Sequence, residues 1–333
     1  MSVNEKTEPN NYTLRISITS VCNLNCLYCN TQRIIDLKSV IKKEDIIGII
    51  KAGYLAGIRK ITWTGGEPTV RPDFIRIVKE AKNIGIKKQS MTTNGILYYK
   101  IAKQLKVAGI SKINFSLDTL NPEEYRKICG YDGFDKVMKS IDEAIKLYDR
   151  VKINCVITKS NSHVIKEMID YFDKKYSGKL TIRFLEIVPC GQTYKKDKSI
   201  FRKNFVAIKE MINNFKKIGR ITPIYLEGDV PKSLYYKIEG KKGIYGVNPN
   251  YSVGYICDKT RCPKIRVSPN GFVSNCTVQL KYARDFRNTT QEEKNKLMQD
   301  IVKEKKNRNY KGFRHKQKYY DFWRFGIMPK NFK

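Results

Sequence analysis

The chain has 333 residues, of which 41% are hydrophobic, and it carries a formal net charge of +33. No apolar stretch approaches the length of about 20 residues that a bilayer-spanning helix needs, so the composition excludes a membrane-spanning protein. Nine cysteines in six separated places argue against a disulfide framework and for a reducing compartment, the cytoplasm. The first eleven residues are polar and lack the apolar core of a signal peptide.

The positive charge could indicate a nucleic-acid partner, but the basic residues are spread along the chain. One denser stretch, 294–333, interleaves lysines and arginines with aromatic residues. No recognised nucleic-acid-binding motif accompanies the charge, so we do not expect nucleic-acid binding. A solvated face and attraction for a phosphorylated small substrate explain the charge with fewer assumptions.

Short β-branched runs alternate with amphipathic segments between Tyr12 and Gly191. The predicted strands are Leu14–Thr19, Lys60–Thr64, Lys88–Thr92, Lys112–Leu117, Lys152–Ile157 and Thr181–Ile187. The predicted helices between them are Glu44–Ala56, Phe74–Ile84, Tyr99–Ala108, Phe134–Tyr148 and Val164–Lys174. Such alternation predicts a parallel sheet with right-handed crossovers. Six units are too few to close an eight-fold barrel, so the predicted fold class is α/β, a partial (βα)6 TIM-like barrel.

Beyond the barrel the pattern weakens. A further helix is predicted over Ser199–Ile218, and the span Gly219–Gly254 is predicted to be rich in loops. Ile265–Val267 and Phe272–Ser274 flank a Pro-Asn-Gly turn and predict a β-hairpin.

Cys22, Cys26 and Cys29 directly follow the first predicted strand, with the spacing C-x3-C-x2-C. Three thiolates can hold three irons of a [4Fe–4S] cluster and leave the fourth iron open for chemistry. The alternatives are unrelated buried cysteines or a zinc knuckle. Zinc usually takes a fourth Cys or His, and the only histidines, His163 and His315, are distant in sequence.

Polar turns end the next three predicted strands: Thr64-Gly-Gly-Glu-Pro68, Thr92-Thr-Asn-Gly95 and Ser116-Leu-Asp118. In such barrels the active residues lie at the carboxyl ends of the strands. Adjacent glycines let a backbone approach a ligand closely, and Glu67 can accept a hydrogen bond from an ammonium group. Each turn could equally be an ordinary strand end with Asx-type hydrogen bonds.

A second cysteine set, Cys257, Cys262 and Cys276, spans the predicted hairpin with the spacing C-x4-C-x13-C. It predicts a second [4Fe–4S] cluster, and a zinc ribbon or idle thiols are the alternatives. We therefore expect a barrel domain at 12–218 and a C-terminal region at 219–333 with the auxiliary cluster unit and a basic tail.

The cysteine run and the turns that follow it resemble the radical S-adenosylmethionine (SAM) superfamily. The resemblance implies that the open iron chelates SAM and that reductive cleavage gives a 5′-deoxyadenosyl radical, with the cofactor carrying the difficult chemistry. A flavodoxin- or ferredoxin-type electron donor is implied with it. Catalytic roles fall on Cys22, Cys26 and Cys29. The implied SAM contacts are Tyr28, Gly65, Gly66, Glu67, Ser116 and Val188.

From Leu14 to about Thr277 the sequence more specifically resembles the GTP 3′,8-cyclase family of molybdenum cofactor biosynthesis. That resemblance implies hydrogen abstraction from the ribose of a nucleoside triphosphate, with the second cluster at the base. The implied substrate contacts are Arg15, Thr92, Lys152, Lys264 and Arg266. Cationic side chains facing a triphosphate make physical sense.

The chain also differs from that family's sequence pattern. Thr62 and Lys264 replace arginines, Val188 replaces a methionine, the paired cysteines are C-x4-C rather than C-x2-C, and the sequence ends without the family's Gly-Gly tail. These departures keep open a sister two-cluster enzyme that acts on another nucleotide or a peptide. A cluster-bearing nucleic-acid-binding or regulatory protein is a third hypothesis, which would not need the Gly65-Gly66-Glu67 turn.

Overall fold

The computed structural model describes residues 10–29, 41–187, 198–226, 233–248, 263–275 and 283–307. Its first six strands are parallel, and each pairs with the next in chain order. They are β1 (Thr13–Ser17), β2 (Lys60–Thr64), β3 (Lys88–Thr93), β4 (Ile110–Ser116), β5 (Val151–Ile157) and β6 (Leu180–Glu186). The predicted parallel sheet of six β-α units is confirmed.

Helices fill the crossovers between these strands. They are α1 (Lys43–Leu55), α2 (Phe74–Ile84), α3 (Tyr98–Ala108), α4 (Pro122–Cys129), α5 (Phe134–Leu147) and α6 (Val164–Tyr176). Helix α4 was not predicted, although its ends are specified locally. The Asn121 side chain accepts hydrogen bonds from the backbone N–H groups of Glu123 and Glu124, and Gly130 ends the helix at φ +67°.

The single helix predicted over Ser199–Ile218 is wrong, because the structure has two helices, α7 (Lys198–Asn204) and α8 (Ile208–Ile218). Phe205, between them, forms an antiparallel bridge with Thr158. The backbone N–H of Ile208 then donates to the carboxylate of Glu186 at 3.1 Å. These tertiary contacts interrupt a segment whose local pattern is helical throughout.

The loop-rich span predicted at Gly219–Gly254 is also wrong, since it contains three strands, β7 (Ile221–Ile224), β8 (Leu234–Ile238) and β9 (Ile244–Asn248). Strand β9 adds to the sheet parallel to β6, and β8 and β7 follow antiparallel. Strand β9 pairs with β6, β8 with β9 and β7 with β8, and this pairing supplies the stabilisation that the short segments lack on their own.

The predicted hairpin is confirmed as β10 (Lys264–Val267) and β11 (Phe272–Ser274), followed by β12 (Arg284–Asp285) and α9 (Gln291–Lys306). Strand β10 pairs parallel to β1, so the strand order is β12-β11-β10-β1-β2-β3-β4-β5-β6-β9-β8-β7. Strands from both sides of the predicted boundary at 218/219 share this sheet, and the division into two domains stays a prediction. None of the described helices is long and apolar enough to cross a bilayer.

Alternation along the strands separates an outer from an inner face. On β1, Leu14 and Ile16 are fully buried in the core formed with the helices, whereas Thr13, Arg15 and Ser17 are partly exposed and face the barrel interior. Full burial of such an apolar side chain stabilises the fold by about 1.5–3 kcal/mol. A slip of one residue would exchange the two faces, so this pattern fixes which side chains enter the interior.

Candidate active site

The three cysteines of the first motif lie in the loop after β1, at the carboxyl end of the barrel strands, and all three are half-buried. The backbone N–H of Cys29 donates to the carbonyl of Cys26 at 3.0 Å, which closes a tight turn. The loop is held from outside by the end of α4, because the N–H groups of Asn25 and Leu27 donate to the carbonyls of Cys129 and Ile128 at 2.9 and 3.0 Å.

The thiols of this loop influence one another electrostatically. Burial raises the pKa of Cys22 to about 11, and the charges of Glu67, Cys26 and Cys29 act in the same direction. Metal coordination reverses such a shift, because the metal's positive charge deprotonates a coordinating thiol outright. Among the described residues, no three His, Cys, Asp or Glu side chains gather tightly enough around one point to hold a single metal ion. Three thiols of one loop can hold three irons of a [4Fe–4S] cluster, whereas a structural zinc ion takes four ligands.

The Gly65-Gly66 turn lies directly against the cysteine loop. The N–H groups of Gly66 and Glu67 donate to the carbonyls of Thr19 and Val21 at 2.7 and 2.8 Å. A Cβ atom on Gly65 would lie 2.5 Å from the Thr19 oxygen, and one on Gly66 would lie 2.1 Å from the Val21 oxygen. Both positions therefore require glycine, and the turn holds the cysteine loop in place.

Glu67 is buried and is engaged by four protein donors. One carboxylate oxygen accepts from the N–H and hydroxyl of Thr69 and from the hydroxyl of Thr93, at 3.1, 2.7 and 2.7 Å. The other accepts from the N–H of Asn94 at 2.7 Å. Burial raises the pKa of Glu67, and these hydrogen bonds oppose the shift. Glu67 thus joins the ends of β2 and β3, and its contact with SAM stays a prediction.

Asn94 is a residue whose role the sequence reasoning missed. Its side-chain amide donates to Asn23 Oδ1 at 2.7 Å and points at the Cys22 sulfur at 3.7 Å. Its own oxygen accepts from the N–H of Ile96, so the amide is held in orientation. Hydrogen bonds to ligand sulfurs are one way in which proteins set the potential of an iron–sulfur cluster. The signal was the position of Asn94 directly after a barrel strand.

Asp118 is a second missed residue, and it holds Tyr28. The tyrosine hydroxyl donates to one oxygen of this buried carboxylate, and the N–H of Val156 donates to the other at 2.7 Å. Burial raises the pKa of Asp118 to about 6, against the effect of those two hydrogen bonds. Tyr28 as a whole residue is 38% exposed, although its hydroxyl end is held against Asp118.

The remaining predicted SAM contacts lie at different places. Ser116 is the last residue of β4 and is on the same inner face as Asn154, its register partner on β5. Val188 lies outside the described residues, and so do Cys257, Cys262 and Cys276 of the second set.

The predicted substrate residues share the inner face of the barrel. Arg15 pairs in register with Arg266 across β1 and β10, and Lys264 lies on the same face two residues earlier. Thr92 and Lys152 both pair with Asn114, which puts them on this face of β3 and β5. The register thus brings together residues that are up to 251 positions apart in sequence.

Three arginines approach one another in this interior. Burial, together with the positive charges of Arg266 and Arg183, lowers the pKa of Arg15 to about 10. In a flat sheet the strands β1 and β6 would be about 24 Å apart at the usual strand spacing. Their side chains can interact because the sheet curls into a barrel. The Nζ of Lys152 on β5 likewise reaches the hydroxyl of Tyr235 on β8, at 3.1 Å.

Arg183 also lies on this face but was not predicted as a contact. Its guanidinium donates twice to Asn154 Oδ1, at 3.0 and 2.8 Å. Thr62, which pairs in register with Arg15, shares a hydrogen bond of 2.9 Å with Ser90. On the described strands β1–β6 and β10, no Asp or Glu occupies an inward position. The interior is therefore polar and strongly cationic.

Comparison with known proteins agrees with this geometry. The profile of the Radical SAM superfamily matches residues 16–172. The GTP 3′,8-cyclase of Alkaliphilus oremlandii is 35% identical over 269 residues, which cover 79% of this chain and 80% of that enzyme. The GTP 3′,8-cyclase of Petrotoga mobilis is 32% identical over 302 residues, which cover 88% and 87% of the two chains.

The chain belongs to the GTP 3′,8-cyclase family. It is thus a radical SAM enzyme, and that superfamily binds SAM and a [4Fe–4S] cluster. The Caenorhabditis elegans molybdenum cofactor biosynthesis protein moc-5 is also similar, at 33% identity, although the matched 79% of this chain spans only 43% of that protein.

Solved structures of radical SAM enzymes share the fold of this GTP 3′,8-cyclase family member. Streptococcus suis SuiB bound to S-adenosylmethionine superposes with a TM-score of 0.61 at 18% identity, over 86% of this chain and 65% of SuiB. The anSMEcpe structure with AdoMet and a peptide gives 0.55 at 19% identity, over 92% and 86%. At such identities the likeness supports the predicted barrel and nothing finer.

Proposed function

We propose that this protein is a GTP 3′,8-cyclase that acts in molybdenum cofactor biosynthesis. The observation that carries the proposal is the cationic barrel interior, in which Arg15 and Arg266 are register partners across β1 and β10 and Arg183 lies on the same inner face. Like charges held close together are unfavourable by themselves, and a bound polyanion relieves their repulsion. A nucleoside triphosphate supplies that charge, and guanidinium groups can bind its phosphates in a bidentate manner.

The proposed substrate contacts are Arg15, Thr92, Lys152, Lys264 and Arg266. Arg15 precedes the end of β1 by two residues, so it lies about 7 Å along the strand from the start of the cysteine loop. A nucleotide held by its phosphates at this depth has its ribose and base within reach of both ends of the interior. Such binding fixes the geometry of a reaction between two ligands and excludes water from it.

The cysteine end of the barrel is proposed as the SAM site. Cys22, Cys26 and Cys29 would hold the cluster, and SAM contacts would come from Tyr28, Gly65, Gly66, Glu67, Ser116 and Val188. Bound there, the cluster and SAM supply the one-electron cleavage that yields a hydrogen-abstracting radical. Of these residues, Tyr28 is oriented by Asp118, and the glycine turn keeps the loop at the mouth of the barrel. A flavodoxin- or ferredoxin-type protein in the cytoplasm is the proposed electron donor.

We further propose a second [4Fe–4S] cluster on Cys257, Cys262 and Cys276. Support comes from the described residues beside two of these cysteines. Lys264 is two residues after Cys262 and Asn275 is directly before Cys276. The carbonyls of Lys264 and Asn275 both accept from one ammonium group, that of Lys305, at 2.9 Å each. The backbone next to the two cysteines is therefore close in space. The described residue Lys264 is at the amino end of β10, which is parallel to β1, whereas the first cysteine motif follows the carboxyl end of β1.

A sister enzyme that acts on another nucleotide is the second candidate. Thr62 favours it, because a threonine bonded to Ser90 replaces a cation that related enzymes direct at the same interior. One missing cation lowers the affinity for a triphosphate, while the other proposed substrate contacts stay in place.

The test is anaerobic reconstitution with iron and sulfide, followed by incubation with SAM, dithionite and either GTP, ATP or guanosine. We expect a 3′,8-cyclised product and 5′-deoxyadenosine with GTP, and no product with guanosine, which lacks the phosphates. Conversion of ATP but not GTP would favour the sister enzyme. Reductive SAM cleavage with no nucleotide consumed would contradict both nucleotide proposals.

A further inference from the structure

Helix α9 carries two lysines that are almost completely buried. Lys294 and Lys305 are each 5% exposed, and eleven residues, or about three turns, separate them, so both lie on the same face of the helix. Lysines are rarely buried unless their charge has partners. The two side chains reach different parts of the fold, and this difference points to a role for one of them.

Lys305 binds the hairpin that carries two substrate-site cations. Its ammonium group donates to the carbonyl of Lys264, the first residue of β10, and to that of Asn275, directly after β11, at 2.9 Å each. It also lies 5.8 Å from the centre of the Tyr12 ring. One nitrogen thus ties the start of β10 to the end of β11. The neighbouring Glu304 accepts from the Asn275 side chain at 3.1 Å, which adds to the hold.

Lys294, near the start of α9, binds residues beside helix α1 rather than the hairpin. Its ammonium group donates to the carbonyl of Thr289 at 2.6 Å and lies 3.3 Å from an Asp45 carboxylate oxygen. Its side chain crosses α1 at Gly48, where a Cβ atom would lie 2.8 Å away. Lys294 therefore docks α9 on α1 and touches neither β10 nor β11 through these bonds.

We propose that Lys305 is a positioning residue for the substrate-binding cations of β10, Lys264 and Arg266. Strand β10 has only four residues, and its Arg266 lies beside the like charge of Arg15. Repulsion between them favours outward displacement of the strand. Two charge-assisted hydrogen bonds at its first residue and at its hairpin partner oppose that displacement. What Lys264 and Arg266 bind rests on the function proposed above.

The test compares Lys305→Met with Lys294→Met as the matched control, because both replace a buried ammonium on the same helix. Binding of GTP to the reconstituted protein is measured by calorimetry, and SAM cleavage without nucleotide by release of 5′-deoxyadenosine. For Lys305→Met we expect the affinity for GTP to be about tenfold lower, because a displaced Lys264 or Arg266 would lose about one charged hydrogen bond to the phosphates. We expect SAM cleavage to be unchanged. Lys294→Met should keep the GTP affinity within about twofold, and Lys305→Arg should restore part of it. Equal weakening by both methionine variants would assign the effect to helix docking and overturn the proposal.

Backbone hydrogen exchange separates this inference from the proposed function. In Lys305→Met the amides of β10 and β11 should exchange faster, while in Lys294→Met the faster exchange should be in α1. Unchanged exchange in β10 would overturn the positioning role. If the wild-type protein bound no triphosphate but β10 loosened only in Lys305→Met, the proposed function would fail while Lys305 would still be shown to position the strand.

Discussion

The two levels of the barrel interior balance their charges in opposite ways. At the cysteine end, the buried carboxylates of Glu67 and Asp118 accept hydrogen bonds from neighbouring backbone and hydroxyl groups. Deeper in, the guanidinium groups of Arg15, Arg183 and Arg266 act on one another with the same sign. The first arrangement is held by protein donors, whereas the second brings like charges together, and we propose that an anion binds there.

This difference separates scaffold from binding surface. Satisfied carboxylates fix loops, so the residues at the cysteine end hold the geometry in which a cofactor is bound. Clustered cations repel one another, so we expect them to favour binding of the proposed anionic substrate at the expense of the stability of the ligand-free protein. Substitutions of the carboxylates at the cysteine end should therefore lower stability. Substitutions of the deeper cations should lower activity without lowering stability.

The largest effect is expected at the cysteine loop. Cys26→Ala should abolish SAM cleavage, a loss of at least about a thousandfold, because the cluster loses one of three protein ligands. Iron and acid-labile sulfide, measured after anaerobic reconstitution, should fall by one cluster. Cys155→Ala, which removes a fully buried thiol outside the motif, is the control and should retain both. Retained cleavage in Cys26→Ala would refute the cluster assignment.

The next effect tests the cationic level. Arg15→Met should lower kcat/KM for GTP by about a hundredfold, as for a lost bidentate phosphate contact of about 3 kcal/mol. The same change removes a cation that its neighbours repel, so the thermal midpoint should stay level or rise. Arg220→Met, at an exposed site, should alter neither. A lower thermal midpoint in Arg15→Met would contradict the contrast between the levels.

Glu67→Gln tests the scaffold. The amide can accept from Thr69 and Thr93, but its NH₂ group would then face the N–H of Asn94. We expect a loss of about 2 kcal/mol of stability from this unsatisfied pair of donors, seen as a lower thermal midpoint. Glu239→Gln, on an exposed side chain, should leave the midpoint unchanged, and an unchanged midpoint in Glu67→Gln would show that the carboxylate is not structural.

The smallest effect is expected far from both levels, at Asp173. Burial acts to raise its pKa, but hydrogen bonds from Tyr245, Gly243 and Lys242 outweigh it, and the pKa is lowered. A lowered folded-state pKa contributes stability above the unfolded pKa of about 4 and loses it as pH falls through the folded value. Asp173→Asn should cost about 1 kcal/mol at pH 7. The difference from wild type, followed by thermal melts, should shrink below about pH 4, and a constant difference would contradict this account.

Much of the barrel follows from the sequence because each strand alternates between core and interior. Helix Phe74–Ile84 and strand Lys60–Thr64 have the predicted bounds, since local pattern and tertiary role coincide there. Strands β7–β9 and the break before α8 depend on pairing with β6 and on Glu186, contacts that no local pattern contains.

The site also contains residues that the local sequence predicts and residues that depend on long-range contacts. The cysteine spacing and the glycine turn are local signals, so Cys22, Cys26 and Cys29 and their partner loop could be predicted together. Asn94 and Asp118 act through bonds to Cys22 and Tyr28, 72 and 90 residues away. The orientations of the Asn94 and Asp118 side chains depend on these long-range contacts, which form only when the strand ends come together in the folded barrel.

The most direct test of the central claim, that this barrel delivers a hydrogen-abstracting radical to the ribose of GTP, uses GTP deuterated at the 3′ carbon. After one turnover with reconstituted protein, SAM and dithionite, mass spectrometry of the 5′-deoxyadenosine reports where its added hydrogen came from. We predict one deuterium per molecule. Unlabelled 5′-deoxyadenosine, formed while GTP is bound, would contradict the claim.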